Sequence, residues 1–188
     1  WPSDGSERIA SLANASWFGA NASDNLGWSV ATGDINNDSI DDIIMGAPYY
    51  DRNSTSTDSG NVYLVYGSTD MTYLCSEHNL SLNIEEGGGG YDAYFVGQNI
   101  SEEAGFAVAA GDMSGDGIDD IIIGAPKYTN LAGNILGRTY VVFGESSYSP
   151  REQLLANANI TLDGERNADL FGYALAAGDV SGDNKTDL

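Results

Sequence analysis

The chain is poor in the residues that define several common chemistries. It holds a single cysteine, Cys75, in 188 residues. No intrachain disulfide can form, and a disulfide-rich secreted scaffold is excluded. Cys75 reads as a buried or partly buried spectator. There is also a single histidine, His78. A lone histidine is a weak catalytic or zinc signal, and it reads as an ordinary loop residue. Basic side chains are scarce: 7 Lys and Arg stand against 28 Asp and Glu, for a formal net charge of −21. Such a balance disfavours DNA, RNA and anionic membranes as partners. It is compatible with calcium binding, with a high-salt habitat, or with both. No apolar run approaches the ~18 residues of a membrane-spanning helix, so direct membrane insertion is not expected. The opening Trp1-Pro2-Ser3-Asp4 has neither a basic n-region nor an apolar h-region, so no signal peptide is expected here. High charge with low hydrophobicity also marks disordered chains, but aromatic and aliphatic runs recur here in register.

What is present is a nine-residue acidic loop, written three times. It reads Asp34-Ile-Asn-Asn-Asp-Ser-Ile-Asp-Asp42, Asp112-Met-Ser-Gly-Asp-Gly-Ile-Asp-Asp120 and Asp179-Val-Ser-Gly-Asp-Asn-Lys-Thr-Asp187. Positions 1, 5 and 9 are Asp in each copy, and position 3 is Asn or Ser. Eleven of the 28 acidic residues fall in these loops.

The flanks repeat too. Gly27–Gly33, Gly105–Gly111 and Gly172–Gly178 precede the loops with period-two patterning, hence strands. In the first copy Trp28, Val30 and Thr32 share one face, and Ser29 and Ala31 the other. The small-residue face predicts close approach of another backbone or sheet. After the complete loops come Ile43-Ile-Met-Gly-Ala-Pro48 and Ile121-Ile-Ile-Gly-Ala-Pro126. Short apolar runs of this kind suit strands covered on both faces. Third strands are expected at 62–67 and 140–144. Fourth strands are expected near 93–97 and 159–163, and the segment 16–19 resembles them. Residues 153–157 are compatible with a short helix. Polar and glycine-rich connections fall at 51–60 and 85–90.

Each unit therefore reads as a four-stranded antiparallel meander. Loop-to-loop periods of 78 and then 67 residues, from 34 to 112 to 179, suggest propeller blades rather than solenoid turns. The expected architecture is all-β: one partial β-propeller over 1–188, of about two and a half to three blades. Blade one spans about 17–84, blade two about 91–163, and a truncated blade three about 168–188. The third unit reaches Leu188 where its second strand should begin, so the chain reads as a fragment of a longer protein. An incomplete set of blades leaves sheet faces and edges that favour self-association.

Calcium takes 6–8 oxygen ligands in flexible geometry. The first loop offers the side chains of Asp34, Asn36, Asp38 and Asp42, with the backbone carbonyl of Ile40. The second offers Asp112, Ser114, Asp116 and Asp120, with the Ile118 carbonyl. The third offers Asp179, Ser181, Asp183 and Asp187, with the Lys185 carbonyl. The expectation is one calcium per loop, up to three. An EF-hand is excluded because its bidentate Glu at position 12 is replaced by Met45 and Ile123. Asp41 and Asp119, at position 8, are expected to face solvent or pair with a turn amide. Magnesium fits less well, because it demands a tighter octahedron.

Gly-Ala-Pro at 46–48 and 124–126, Phe171-Gly172 and the acidic loop between such elements resemble the FG-GAP repeat. That repeat is the blade of the integrin α-subunit β-propeller and its bacterial and archaeal relatives. The phenylalanine is replaced by Leu26 in the first copy and Ala104 in the second, while the glycine is kept. The resemblance implies calcium on the blade loops of one face, and a secreted or cell-surface module for adhesion or recognition. A protein or carbohydrate ligand at a cell surface is the implied partner. Animal integrin propellers usually carry paired cysteines, so the single Cys75 points toward a prokaryotic or archaeal surface protein. No catalytic set is recognisable: Glu102 and Glu103 show no partner, and the repeat accounts for the loop carboxylates that would otherwise suggest a glycosidase pair. Two other roles stay open, an accessory propeller of a secreted carbohydrate lyase or phospholipase-like enzyme, and a surface-layer component. Eight Asn-x-Ser/Thr sequons begin at Asn14, Asn21, Asn37, Asn53, Asn79, Asn99, Asn159 and Asn184. Many such triplets arise by chance in a chain of this composition, and surface glycosylation is read at Asn53 or Asn79. Tyr and Trp residues read mainly as strand packing, with a sugar-binding surface as the alternative.

Overall fold

The computed structural model describes residues 17, 19, 21, 23–69, 91–149, 151–183 and 185–188. Cys75, His78, the connection at 85–90 and the sequon asparagines at 14, 79 and 184 lie outside these residues, as do residues 16 and 18 of the strand expected at 16–19.

Among the described residues the chain is all-β apart from one short 3₁₀ turn. The strands are β1 (Ser29–Gly33), β2 (Asp42–Ala47), β3 (Asn61–Val65), β4 (Ala93–Val96), β5 (Ala107–Gly111), β6 (Asp120–Ala125), β7 (Arg138–Val142), β8 (Glu152–Leu154) and β9 (Ile160–Asp163). They form two sheets, ordered β1-β2-β3-β4-β8 and β5-β6-β7-β9. The acidic loops join the first two strands of each sheet, as expected. β2 pairs with β1 from Ser29↔Gly46 to Gly33↔Asp42, and β6 with β5 from Ala107↔Gly124 to Gly111↔Asp120. Both sheets therefore carry the same register relative to the repeat.

Three expectations change. First, β4 pairs antiparallel with β3, so the limit between the first two blades falls after residue 97 and not between 84 and 91. Second, the first sheet is not a four-stranded meander. It gains β8, drawn from the β7–β9 connection and paired in parallel with β4 through Tyr94↔Glu152, Phe95↔Gln153 and Val96↔Leu154. The cause lies in the flanks of β8: Tyr148 packs edge-on against Phe95 at 5.2 Å between ring centroids, and Leu155, opening the 3₁₀ turn, is buried in the shared core. Third, residues 172–178 form no strand and contribute only the bridge Gly178↔Asp187. β1 and β5 pair with the apolar run that follows their loops, and no such run follows Asp187 within the sequence.

The apolar runs of β2 and β3 are buried on both faces because alternate residues meet different neighbours. Ile44, Val62 and Leu64 join Ile121, Ile123 and Tyr140 in the core between the sheets. Met45, Ala47, Tyr63 and Val65 form a second cluster on the outer face with Tyr91. The small-residue face of the first strand does admit close approach. A Cβ added at Gly46 would stand 2.1 Å from the carbonyl oxygen of Gly105, and one at Gly124 would stand 2.0 Å from that of Gly172. Thus the glycine of each Gly-Ala-Pro lies on the glycine that opens the next unit. Ser29 Oγ strengthens the first junction by donating to the Gly105 carbonyl at 2.7 Å. Single parallel bridges, Gly60↔Ala104 and Gly137↔Phe171, repeat at the same place in both junctions.

Candidate metal centres and the opposite face

Each acidic loop is wound around its position-1 carboxylate. Asp34 accepts the N–H groups of Asp38 and Ser39 at 2.9 and 2.8 Å. Asp112 accepts those of Gly115, Asp116 and Gly117, and Asp179 those of Gly182 and Asp183. The position-5 carboxylates accept the N–H two residues on, from Ile40, Ile118 and Lys185. Position 3 joins them: Asn36 Oδ1 accepts from Asp38 N–H and its Nδ2 donates to Asp38, while Ser114 Oγ donates to Asp112. Winding the turn this tightly requires left-handed backbone at positions 4 and 6. Asn37 and Ser39 take φ values of 59° and 70°, and Gly115 and Gly117 take 80° and 87°. Asn tolerates this region and Gly prefers it.

The position-9 aspartates play a different part. Asp42 and Asp120 are fully buried. Asp42 accepts from Ile35 N–H and from Gly67 N–H, at 3.0 and 2.8 Å. Asp120 accepts from Met113, Ser114 and Gly144. Each clamps the start of its loop to the end of the third strand. Burial pushes the Asp42 carboxyl up to about 6, against the lowering effect of its two amide donors, with Asp38 and Asp34 adding to the rise. Asp120 is raised for the same reason. Asp187 is half-buried and keeps only the loop-start donors Val180 and Ser181. The N–H of Ser181, followed by that of Val180, holds its carboxyl below the ordinary value.

At position 7, the side chains of Ile40 and Ile118 lay their Cγ2 groups against Gly67 and Gly144, and the Cε–Nζ end of Lys185 crosses Gly115 of the preceding loop. Position 8 links loops between units. Asp119 Oδ2 accepts from Asp34 N–H at 3.1 Å, and Asp119 N–H donates to the Asp34 carbonyl. The next pair repeats the backbone bond, from Thr186 N–H to the Asp112 carbonyl at 2.8 Å. Asp119 therefore does pair with a turn amide, but of the neighbouring loop, while Asp41 is exposed.

Among the described residues, no three Asp, Glu, His or Cys side chains converge as a ready-made metal cluster. In each loop the carboxylates are engaged with backbone N–H groups. The donor chemistry nevertheless fits one class of ion. Positions 1, 3, 5 and 9 offer only hard oxygen atoms, with no nitrogen or sulfur that would favour zinc or copper.

The opposite end of the strands is aromatic. Trp28, Phe106 and Tyr173 follow the opening glycine in the three units and form a row. Trp28 and Phe106 lie 5.4 Å apart between centroids, and Phe106 and Tyr173 4.7 Å. Tyr49 adds an edge contact to Trp28 at 6.0 Å. A groove of about 310 Å³ runs beside them, with the Lys127–Glu103 ion pair, 2.7 Å long, in its wall. The carbon face of this groove, broken by one charged pair, suits a ligand that combines apolar and polar edges.

Glu102, just behind this wall, was silent in the sequence but sits in a network. It is fully buried and accepts from Gln98 N–H, Asn99 Nδ2 and the Tyr140 hydroxyl. Burial pushes its carboxyl from 4.5 up to about 7, against these donors. Below about pH 4.5 the group is protonated in both folded and unfolded chains. As pH rises from there to about 7, the unfolded chain ionises first, so stability is lost across that window. The loss reaches about 3 kcal/mol at ~1.4 kcal/mol per unit. Glu102→Gln should flatten this part of the pH profile, read as urea midpoints of the two chains across the window. Parallel profiles would refute the assignment.

The comparisons with known proteins agree with this geometry. The FG-GAP repeat model matches residues 26–65 and 104–142, each running from the residue before the opening glycine through the acidic loop to the third strand. The chain carries FG-GAP repeats. Over 163 residues it is 33% identical to the phosphatidylinositol-glycan-specific phospholipase D of Bos taurus, covering 87% of this chain and 18% of that protein. It is 30% identical to the Homo sapiens phospholipase of the same name over 183 residues, covering 97% of this chain and 20% of that one. Integrin alpha pat-2 of Caenorhabditis elegans is 37% identical over 169 residues, covering 86% of this chain and 13% of the integrin. The chain thus spans about a fifth or less of these relatives. With the two sheets above, the FG-GAP chain is a partial β-propeller of integrin-α type. The relatives named give no support to the prokaryotic or archaeal source expected from the single cysteine.

Proposed function

We infer that this FG-GAP segment is a calcium-stabilised recognition module of a secreted or cell-surface protein, with calcium structural and no chemistry of its own. The observation that carries this reading is the acidic loop. It recurs three times at one position of the repeat, each time with the position-5 N–H on position 1, the position-7 N–H on position 5 and the position-2 N–H on position 9, and it offers oxygen donors alone. Asp34, Asn36, Asp38 and Asp42 would hold one ion, and Asp112, Ser114, Asp116 and Asp120 a second. Asp179, Ser181, Asp183 and Asp187 would hold a third. Carbonyls of Ile40, Ile118 and Lys185 complete the proposed sets. A bound cation would neutralise carboxylates that now crowd one turn, and binding to the folded state alone stabilises it by linkage. Adhesion or ligand recognition then falls to the aromatic groove at the other end of the strands, toward a protein or carbohydrate.

Titration calorimetry should show calcium binding with up to three ions. The melting temperature should rise with calcium and fall back on chelation. At a hundredfold excess over the dissociation constant each site adds about 2.7 kcal/mol. No heat of binding, with melting unmoved by chelator, would end the proposal. A second reading is an accessory propeller of a phospholipase-like enzyme, favoured by the long matches to two phospholipases D. Phospholipase activity in the protein that carries this segment, unchanged in Km after substitution of Trp28 and Phe106, would favour it over a recognition role.

A further inference from the structure

The sequons are the motif that the propeller reading leaves unused, and the structure separates them. Asn99 is spoken for: its Nδ2 donates to the buried carboxylate of Glu102 at 3.1 Å. Asn21 Nδ2 donates to Asp24, which is itself buried. Asn37 lies inside the first acidic loop, in left-handed backbone between the proposed ligands Asn36 and Asp38. Asn159 is exposed, but its Oδ1 caps the end of the β7–β9 ladder by accepting from Phe143 N–H at 2.8 Å, and its Thr161 lies along β9 in extended chain.

Asn53 differs on each count. It sits at the exposed tip of the β2–β3 connection, with Ser54 and Thr55 also exposed. Its Oδ1 accepts two hydrogen bonds from the third sequon residue, Thr55 N–H at 2.9 Å and Thr55 Oγ1–H at 2.6 Å. Among the described residues its Nδ2 donates to nothing. The turn is also closed locally, by Arg52 N–H to Ser56 O and Ser56 N–H to Asn53 O. Such an Asx turn needs only neighbouring residues, so it can form before the blade is assembled. The connection is tied to the next unit beyond the tip through the backbone of Thr57, Asp58 and Ser59, and beside it by a surface ion pair of 3.7 Å between Arg52 and Glu152.

We propose that Asn53 is an N-glycan acceptor, modified through Nδ2, and that the glycan stands on the same end of the strands as the aromatic groove. This rests on the secreted or cell-surface reading. The two hydrogen bonds to Oδ1 draw electron density from the carboxamide and acidify its N–H. In the transfer, Nδ2 attacks the anomeric carbon of a polyprenyl-diphosphate-linked oligosaccharide. The Nδ2–C1 bond forms, the C1–O bond to diphosphate breaks, and the polyprenyl diphosphate departs with the electron pair. One amide proton passes to a base of the transferase. Oδ1 keeps both Thr55 hydrogen bonds in the product.

The test directs the chain into the secretory pathway of cultured eukaryotic cells with a cleavable leader, so entry does not depend on the native address. Release by a peptide:N-glycanase, which hydrolyses the side-chain amide, converts a glycan-bearing asparagine to aspartate, and peptide mapping then locates it. The expected result is conversion at Asn53, lost almost completely in Asn53→Gln and Thr55→Ala and retained in Thr55→Ser. Secretion of the variants at the wild-type level excludes a folding cause, since the tip touches no core residue. An unmodified Asn53 peptide in the secreted chain overturns the proposal. So does modification that survives Thr55→Ala. Leader-directed modification of Asn53, combined with a natural protein retained inside cells, would instead overturn the address and leave the acceptor standing.

Discussion

Gly46→Ala should be severely damaging for a single added methyl. The added Cβ would meet the Gly105 carbonyl oxygen at 2.1 Å and Ser29 Oγ at 2.4 Å. Both are fixed, one as backbone of the next unit and the other as its hydrogen-bond donor. Relief requires the two sheets to part, which opens the core around Ile44 and Ile121. The expected loss is more than about 3 kcal/mol, in the range of severe overpacking, measured as the urea midpoint at constant m-value. Gly124→Ala, facing the Gly172 carbonyl, should behave alike. Gly133→Ala is the control. Nothing lies within 4 Å of its Cβ, so only its backbone strain remains, about 1 kcal/mol. Equal effects at Gly46 and Gly133 would show that the junction yields.

Asp120→Ala should cost on the order of 3 kcal/mol, whether or not calcium is present, because it strands Met113, Ser114 and Gly144 N–H groups. Hydrogen exchange should locate the damage, with protection lost first at those three amides. Asp120→Asn leaves one acceptor oxygen and sets an NH₂ against the remaining N–H donors, so it should recover only part of the loss. Asp187→Ala should cost much less than Asp120→Ala, since its carboxylate is reached by solvent and can be replaced by water. A small effect at Asp120 in chelator, with a large one in calcium, would mean that position 9 matters only as a ligand.

The blade was legible because its signals are local. Period-two flanks, apolar runs ending in Gly-Ala-Pro and the nine-residue loop each act over fewer than ten residues, and all recur. The small-residue face even announced the junction where Gly46 meets Gly105. What stayed hidden depends on residues far apart in sequence. Nothing around Glu152 marks it as a strand, because β8 exists only by leaning on β4. One of the three donors to Glu102, the Tyr140 hydroxyl, lies 38 positions away. The Asp119–Asp34 link joins two loops 85 positions apart. In the loops themselves, the sequence indicated which atoms are hard donors but not that position 9 is a buried clamp. The glycines at 67 and 144, which close that clamp, carried no separate signal.

Strand β8 has a mechanical consequence. It belongs by sequence to the second blade, yet its hydrogen bonds lie on the outer edge of the first. Tension that draws β7 and β9 away from the first sheet loads those bonds along β4, in shear, so they must fail together rather than one at a time. The two blades should then rupture as one event in a force-extension trace, where blades joined only at their glycine contacts would give two.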